Sequence, residues 1–156
     1  MNSQLTVYKA SAGSGKTFTL AKEYMVLVIQ DPSSYRNILA VTFTNKATEE
    51  MKNRILSKLY GIANRLDDSR DYLEQIKGVL SQMSEEQIIE NAGIALKNLI
   101  HNYNYFRVET IDTFFQSVLR NLARELDLTA NLRIGLNDVQ IEEQAVTEQQ
   151  LARHRN

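Results

Sequence analysis

The chain has 156 residues, 43% of them apolar and 24% charged, with a formal net charge of −1. A domain of that size buries roughly 70% of its unfolded surface, and the charge balance excludes a global basic field, so any polyanion site must be local. The absence of cysteine excludes disulfides and thiolate chemistry, and the two histidines, His101 and His154, are too far apart in sequence to suggest a metal site.

Leu5 to Lys9 is short and β-prone and runs straight into Gly13 and Gly15, which predicts a strand entering a tight loop. From Lys16 the apolar residues Phe18, Leu20, Ala21, Tyr24, Met25 and Val28 recur at helical spacing, and Asp31-Pro32-Ser33-Ser34 ends the helix in a turn. Asn37 to Phe43 is nearly continuous apolar and β-branched, the pattern of a strand covered on both faces, which favours a parallel sheet. Thr44 or Asn45 then caps a helix with Ala47, Met51, Ile55 and Leu59 on one face. Asp67 to His101 reads as two helices. The second opens on the capping-box pattern Ser84-Glu85-Glu86-Gln87 and carries Ile88, Ala92, Ala95 and Leu99 on one face. Phe106 to Thr110 suits a further strand. Asp112 to Leu126 suits an amphipathic helix with Phe115, Val118, Leu119, Leu122 and Leu126 turned inward. Leu132 to Leu136 suits a short strand and Asp138 to about Ala152 a last helix. Strands alternating with helices predict an α/β layered fold.

The loop at residues 10 to 17, ASAGSGKT, carries the first chemistry. A P-loop reads G-x-x-x-x-G-K-[ST] between a strand and a helix. Gly15, Lys16 and Thr17 fit, whereas Ala10 replaces the first glycine. Gly13 and Gly15 open backbone conformations closed to other residues. Successive N–H groups then form an anion nest at the positive end of a helix. The candidate phosphate cradle is Ala10, Ser11, Ala12, Gly13, Ser14, Gly15, Lys16 and Thr17. Lys16 and Thr17 are the catalytic candidates, Lys16 for the β/γ-phosphates and Thr17 as a hydroxyl ligand to Mg²⁺. Many NTPases and kinases share this loop.

The second stretch is TFTNKATEEMKNRI, residues 42 to 55. It puts Thr42, Phe43, Thr44 and Asn45 at the carboxyl end of a sheet strand, the edge where α/β folds bind ligands. Small polar groups there suit phosphates, and an aromatic suits a nucleobase. The bland alternative makes Phe43 a core residue and Lys46, Lys52, Arg54 and Lys58 a solvated helix face.

Together, ASAGSGKTFTL (10–20) and AVTFTNKATEEMKNRI (40–55) resemble the first two motifs of UvrD-type superfamily 1 DNA helicases. ASAGSGKTFTLAKEY looks most like the RecB and AddA branch of helicase–nucleases. VETIDTFFQSVLR (108–120) is similar to the family's next DNA-contacting motif, and LRIGLND (132–138) to the segment after it. The resemblance implies a RecA-like P-loop NTPase fold, a parallel sheet flanked by helices. Residues 1–136 would form part of a first motor domain, with a helical insertion at about 60–105, and residues 137–156 would begin the next helical segment. It also implies ATP and Mg²⁺ as cofactors and DNA contacts at Thr42, Phe43, Thr44, Asn45, Thr110 and Thr113. DNA, single-stranded or duplex, and a partner subunit of a helicase–nuclease complex are the implied partners.

Two departures stand out. The family often has a histidine where this chain has Asp112, which cannot donate to a phosphate when ionised and reads instead as a helix cap. A glutamine that reads adenine in many relatives lies well upstream of the P-loop; here only Gln4 precedes it, too close to serve. Hydrolysis also needs a carboxylate for Mg²⁺, a group orienting water and an arginine, and no Asp-Glu follows an apolar strand. The expectation is the N-terminal piece of a larger motor that binds nucleotide weakly and does not unwind DNA alone. Alternatives are a stand-alone P-loop module without turnover and a small kinase, for which no acceptor site is evident. The N-terminus lacks a signal-peptide pattern and no apolar run reaches the ~18 residues of a membrane span, which predicts a cytoplasmic protein with no membrane partner.

Overall fold

A computed structural model describes residues 15–125, so the expected strands at 5–9 and 132–136 and the helix from Asp138 lie outside the described residues. The chain divides into two units, Met1–Ile111 and Asp112–Asn156.

In the first unit, α1 spans Lys16–Gln30 and buries Ala21, Tyr24, Met25, Val26, Val28 and Ile29, while Leu20 and Leu27 stay exposed. Asp31 ends it: its N–H bonds the Leu27 carbonyl, and its Oδ1 accepts from the Ser33 N–H (2.9 Å) and hydroxyl (2.7 Å). Those two Ser33 bonds hold the Asp31 carboxyl below the usual carboxylate range. A 3₁₀ turn, Ser34–Asn37, leads into β1, Leu39–Thr42, and α2 follows over Asn45–Ala63. A second 3₁₀ turn, Asp67–Ser69, leads into α3, Arg70–Val79, and then α4, Glu85–His101. The 3₁₀ turn Tyr103–Tyr105 precedes β2, Arg107–Thr110.

β1 and β2 pair in parallel, with Leu39 opposite Arg107 and Thr42 opposite Thr110. The alternation of side chains across a strand puts Ala40, Thr42, Val108 and Thr110 on the face that meets the core. Leu39 and Val41 are exposed on the other face, where Arg107 Nη2 pairs with Glu109 Oε1 at 2.7 Å. The expected cover on both faces is therefore corrected to one. No described element lies over Leu39 and Val41, and an apolar run buries only where a layer exists to meet it.

The core is helical. Met51, Ile55 and Leu59 of α2 meet α1 and the full predicted stripe of α4, Ile88, Ala92, Ala95 and Leu99. Ile76 of α3, Phe106 and Val108 complete it. Each fully buried aliphatic here contributes about 1.5–3 kcal/mol relative to exposure. The Tyr24 ring packs on Phe106 at 5.5 Å, and burial pushes its phenol pKa upward. The capping box at the start of α4 is present in full: Ser84 Oγ accepts from the Gln87 N–H, and Gln87 Oε1 from the Ser84 N–H.

Two asparagines of α4 reach across to the end of α1. Asn91 Nδ2 donates to the Ile29 carbonyl at 2.8 Å and Asn98 Nδ2 to the Pro32 carbonyl at 2.9 Å. The last carbonyls of a helix lack intrahelical partners, so these side chains satisfy groups that would otherwise need water. The far end of α2 turns through Arg65 at φ +55°. There the Leu66 N–H bonds the Gly61 carbonyl and the Arg65 N–H the Ile62 carbonyl, a Schellman motif with arginine where glycine is usual.

The second unit is described by α5, Ile111–Glu125, alone. Its predicted inward residues are not inward: Phe115, Leu119 and Leu122 are exposed, Val118 is half-buried, and Leu126 lies outside the described residues. An amphipathic helix buries its apolar stripe only against a second element, and none is described within that unit. The helix also begins one residue earlier than expected. Asp112 therefore sits in the first turn, where a carboxylate suits the helix dipole, rather than capping it. No helix among the described residues is long and apolar enough to cross a membrane.

Candidate functional site

Of the predicted phosphate loop, Ala10 to Ser14 lie outside the described residues, and Gly15, Lys16 and Thr17 open α1. Gly15 has φ +78°, the left-handed conformation that disfavours side chains. A Cβ there would meet nothing within 4 Å, so the requirement for glycine is conformational rather than steric. The helix ladder starts at this glycine, with the Thr19 N–H bonding the Gly15 carbonyl at 2.9 Å. Gly15 at the N-cap of α1 has no side chain to cap it, whereas Thr44 and Ser84 cap α2 and α4, and the first turn of α1, like that of α2, holds no acid. Lys16 and Thr17 are exposed. A helix start behind a glycine N-cap, with a lysine and a hydroxyl in its first turn, has the donors and the dipole that a phosphate needs.

These residues fit a nucleotide with Mg²⁺. The ammonium group matches phosphate oxygens, and the Thr17 hydroxyl is a hard oxygen ligand suited to Mg²⁺, which takes most of its shell from water and phosphate. Among the described residues no three His, Cys, Asp or Glu side chains cluster to hold a metal ion by themselves.

The predicted DNA residues fall at the carboxyl ends of the two strands. Thr42 and Thr110 are register partners there, Thr110 being buried. Thr42 Oγ1 lies 2.6 Å from Thr48 Oγ1, and Thr44 Oγ1 accepts from the Ala47 N–H at 3.1 Å as the N-cap of α2. A hydroxyl that accepts a main-chain N–H keeps its own proton for another oxygen, so capping and phosphate contact are compatible. Asn45 opens α2 and is exposed. Phe43 is 85% exposed, which removes the core reading of that residue. Thr113 lies in the second unit, on the exposed first turn of α5.

Lys58 and Lys52 of α2 have partners distant in the sequence. Lys58 Nζ bonds the Asp68 carbonyl at 2.7 Å and Asp68 Oδ2 at 2.9 Å. That bond and a second from Ser69 hold the Asp68 carboxyl below its ordinary pKa. Lys52 Nζ lies 5.0 Å from the Tyr103 ring centre and 5.7 Å from that of Phe106, and Lys46 is 4.0 Å from Glu50. A cavity of about 510 Å³ between the end of α2 and α3, lined by Arg65, Asp67, Arg70 and Glu74 among others, contains none of the predicted site residues.

A helix that opens on Lys-Thr behind a left-handed glycine stands in an α/β unit with two parallel strands. The chain belongs to the UvrD/REP helicase N-terminal domain family, whose model matches residues 1–155. It is 33% identical over 128 residues to an ATP-dependent helicase/nuclease polypeptide of Thermoanaerobacter sp. (strain X514), covering 81% of this chain and 8% of that one. It is 37% identical over 70 residues to "RecBCD enzyme subunit RecB" of Haemophilus influenzae, covering 40% of this chain and 6% of the relative. Over 55 residues it is 49% identical to "Probable DNA helicase II homolog" of Rickettsia felis, covering 34% and 8%. The chain thus spans less than a tenth of the length of these three relatives. No solved structure matches it at a significant level.

Proposed function

We propose that this chain is the ATP-binding front section of a DNA helicase that couples ATP hydrolysis to movement along single-stranded DNA, in recombination or repair. Residues 1–136 form part of the first motor domain, with α3 and α4 as its helical insertion, and residues 137–156 begin the next segment. Lys16 meets the nucleotide phosphates and Thr17 the Mg²⁺ ion. Thr42, Phe43, Thr44, Asn45, Thr110 and Thr113 line the DNA track. The relatives named as parts of helicase–nuclease enzymes support a partner subunit.

The observation that carries this reading is the start of α1, an acid-free turn with a lysine and a threonine behind a left-handed glycine, in a chain of the helicase family. Isothermal calorimetry with Mg-ATP tests it. Lys16→Ala is expected to weaken binding roughly 10- to 100-fold, from the ~1.5–3 kcal/mol of a hydrogen bond to a charged group. Absence of heat from the wild-type chain at millimolar Mg-ATP, or an unaltered Lys16→Ala isotherm, would refute the proposal.

The exposed Phe43 supports the DNA track, because stacking on a base recovers ~1–3 kcal/mol for such a ring. Phe43→Ala is expected to weaken oligonucleotide binding about tenfold with little change in its salt dependence. A change in salt slope without a common loss of affinity would instead assign the contact to phosphates.

A further inference from the structure

Both strands are entered from 3₁₀ turns, Ser34–Asn37 before β1 and Tyr103–Tyr105 before β2. Because the strands are parallel and Leu39 faces Arg107, the two turns share the amino edge of the sheet, opposite the edge that carries Thr42 to Asn45. The Arg36 guanidinium carbon lies 5.1 Å from the Tyr105 ring centre and 5.5 Å from that of Tyr35, and Arg36 Nε donates to the Tyr35 hydroxyl at 2.9 Å. Lys52, reaching from α2, is placed in the same way over Tyr103 and the buried Phe106, whose rings meet edge to face at 5.8 Å. Tyr35 and Phe106 are thus buried supports, while Tyr103 and Tyr105 are each 49% exposed.

The charge around them is segregated. The chain contains 19 acidic residues, yet none lies between Pro32 and Thr48 or between Asn91 and Val108. His101 and Arg107 flank the tyrosine turn, and Arg107 pairs with Glu109. The nearest acids on α2 are Glu49 and Glu50, and Glu50 faces Lys46. Exposed aromatic rings fixed beside cations, in chain segments without carboxylates, have the chemistry of a single-strand platform: faces for bases and charges for the backbone. An acidic protein partner would use the cations but gain little from two half-exposed rings.

We propose that this amino edge is a second contact for single-stranded DNA, with bases stacking on Tyr103 and Tyr105 and phosphates meeting Arg36 and Lys52. The choice of DNA rests on the helicase reading; the stacking site is distinct from Phe43, which lies at the opposite edge of the sheet.

Fluorescence anisotropy with a labelled fifteen-residue oligothymidylate tests it on the full chain over a salt series. The double variant Tyr103→Leu/Tyr105→Leu is expected to bind about tenfold more weakly or worse. Arg36→Gln is expected to lower the salt slope by about one. Phe43→Ala is expected to bind about tenfold more weakly, and replacing the tyrosine pair in that background should lower the remaining affinity further. Affinity unaltered in the tyrosine variant, with loss in Phe43→Ala, overturns the second contact and leaves the helicase reading standing. No binding by the wild-type chain overturns both. Photo-cross-linking of a 5-iodouracil oligonucleotide to the wild-type chain makes the test independent of any variant's folding. Adducts on Tyr103 or Tyr105 are expected, and adducts confined to other residues refute the site.

Discussion

Leu99→Ala is expected to lower stability by about 2–5 kcal/mol, from lost transfer energy plus the cavity left behind. Leu99 is fully buried where α4 meets α1 and α2, so the loss falls on the contact that holds three helices together. Against the ~5–15 kcal/mol that domains of this kind possess, that is a large share. Urea denaturation should show a lower midpoint at unchanged slope. The neighbouring residue supplies the control. Ile100 is 55% exposed, and Ile100→Ala should stay within about 0.5 kcal/mol of the parent. Similar shifts for the two variants would contradict the orientation of α4.

The second large effect concerns Gly61, buried near the end of α2. A methyl group there would collide with Ser69 Oγ and stand 2.7 Å from Ser69 Cβ and 3.1 Å from Asp68 Oδ1. Rotation can remove the hydroxyl but not the Cβ, which is fixed to the backbone of the 3₁₀ turn. Gly61→Ala therefore sets two terms against each other. Helix propensity favours alanine by ~1 kcal/mol, and overpacking costs about 1–3 kcal/mol. The steric term should win, because moving the turn also disturbs the bonds of Asp68 to Lys58 and Ser69. The net loss of up to about 2 kcal/mol lowers Tm by up to roughly 8 °C. Adding Ser69→Gly should return most of it, giving a coupling between the two sites of the kind neighbouring residues show. A Gly61→Ala protein as stable as its parent would mean the turn is not packed against the helix.

The legible parts of this fold are those decided within a few residues. The 3.6-residue period of Ile88, Ala92, Ala95 and Leu99, the Ser84–Gln87 box and the Thr44 cap are local, and all are present in the structure. Burial is a different matter, because it depends on what stands opposite. Leu39, Val41, Phe115, Leu119 and Leu122 have the composition of core residues and are exposed. Conversely, the bonds from Asn91 and Asn98 to α1 join residues 62 and 66 apart, and no short-range pattern announces them. The Lys52–Tyr103 and Arg36–Tyr105 contacts escape notice for the same reason. The turn at Gly15 and the helix that opens on Lys16 were legible because their signals are contiguous, a glycine directly before a run of helical spacing, and α1 begins there. Arg65 in the left-handed cap went unseen because the sequence signal for such a bend is glycine.

The asparagine ties bear on how α1 can move. Its fifteen residues make a rod of about 22 Å, with Lys16 at the tip and the base fastened to α4 through Ile29 and Pro32. Sliding the rod along its axis would break two hydrogen bonds at the anchored end. The ties fix the position of Lys16 along the axis of α1 relative to α4, and α1 behaves as a strut rather than a piston.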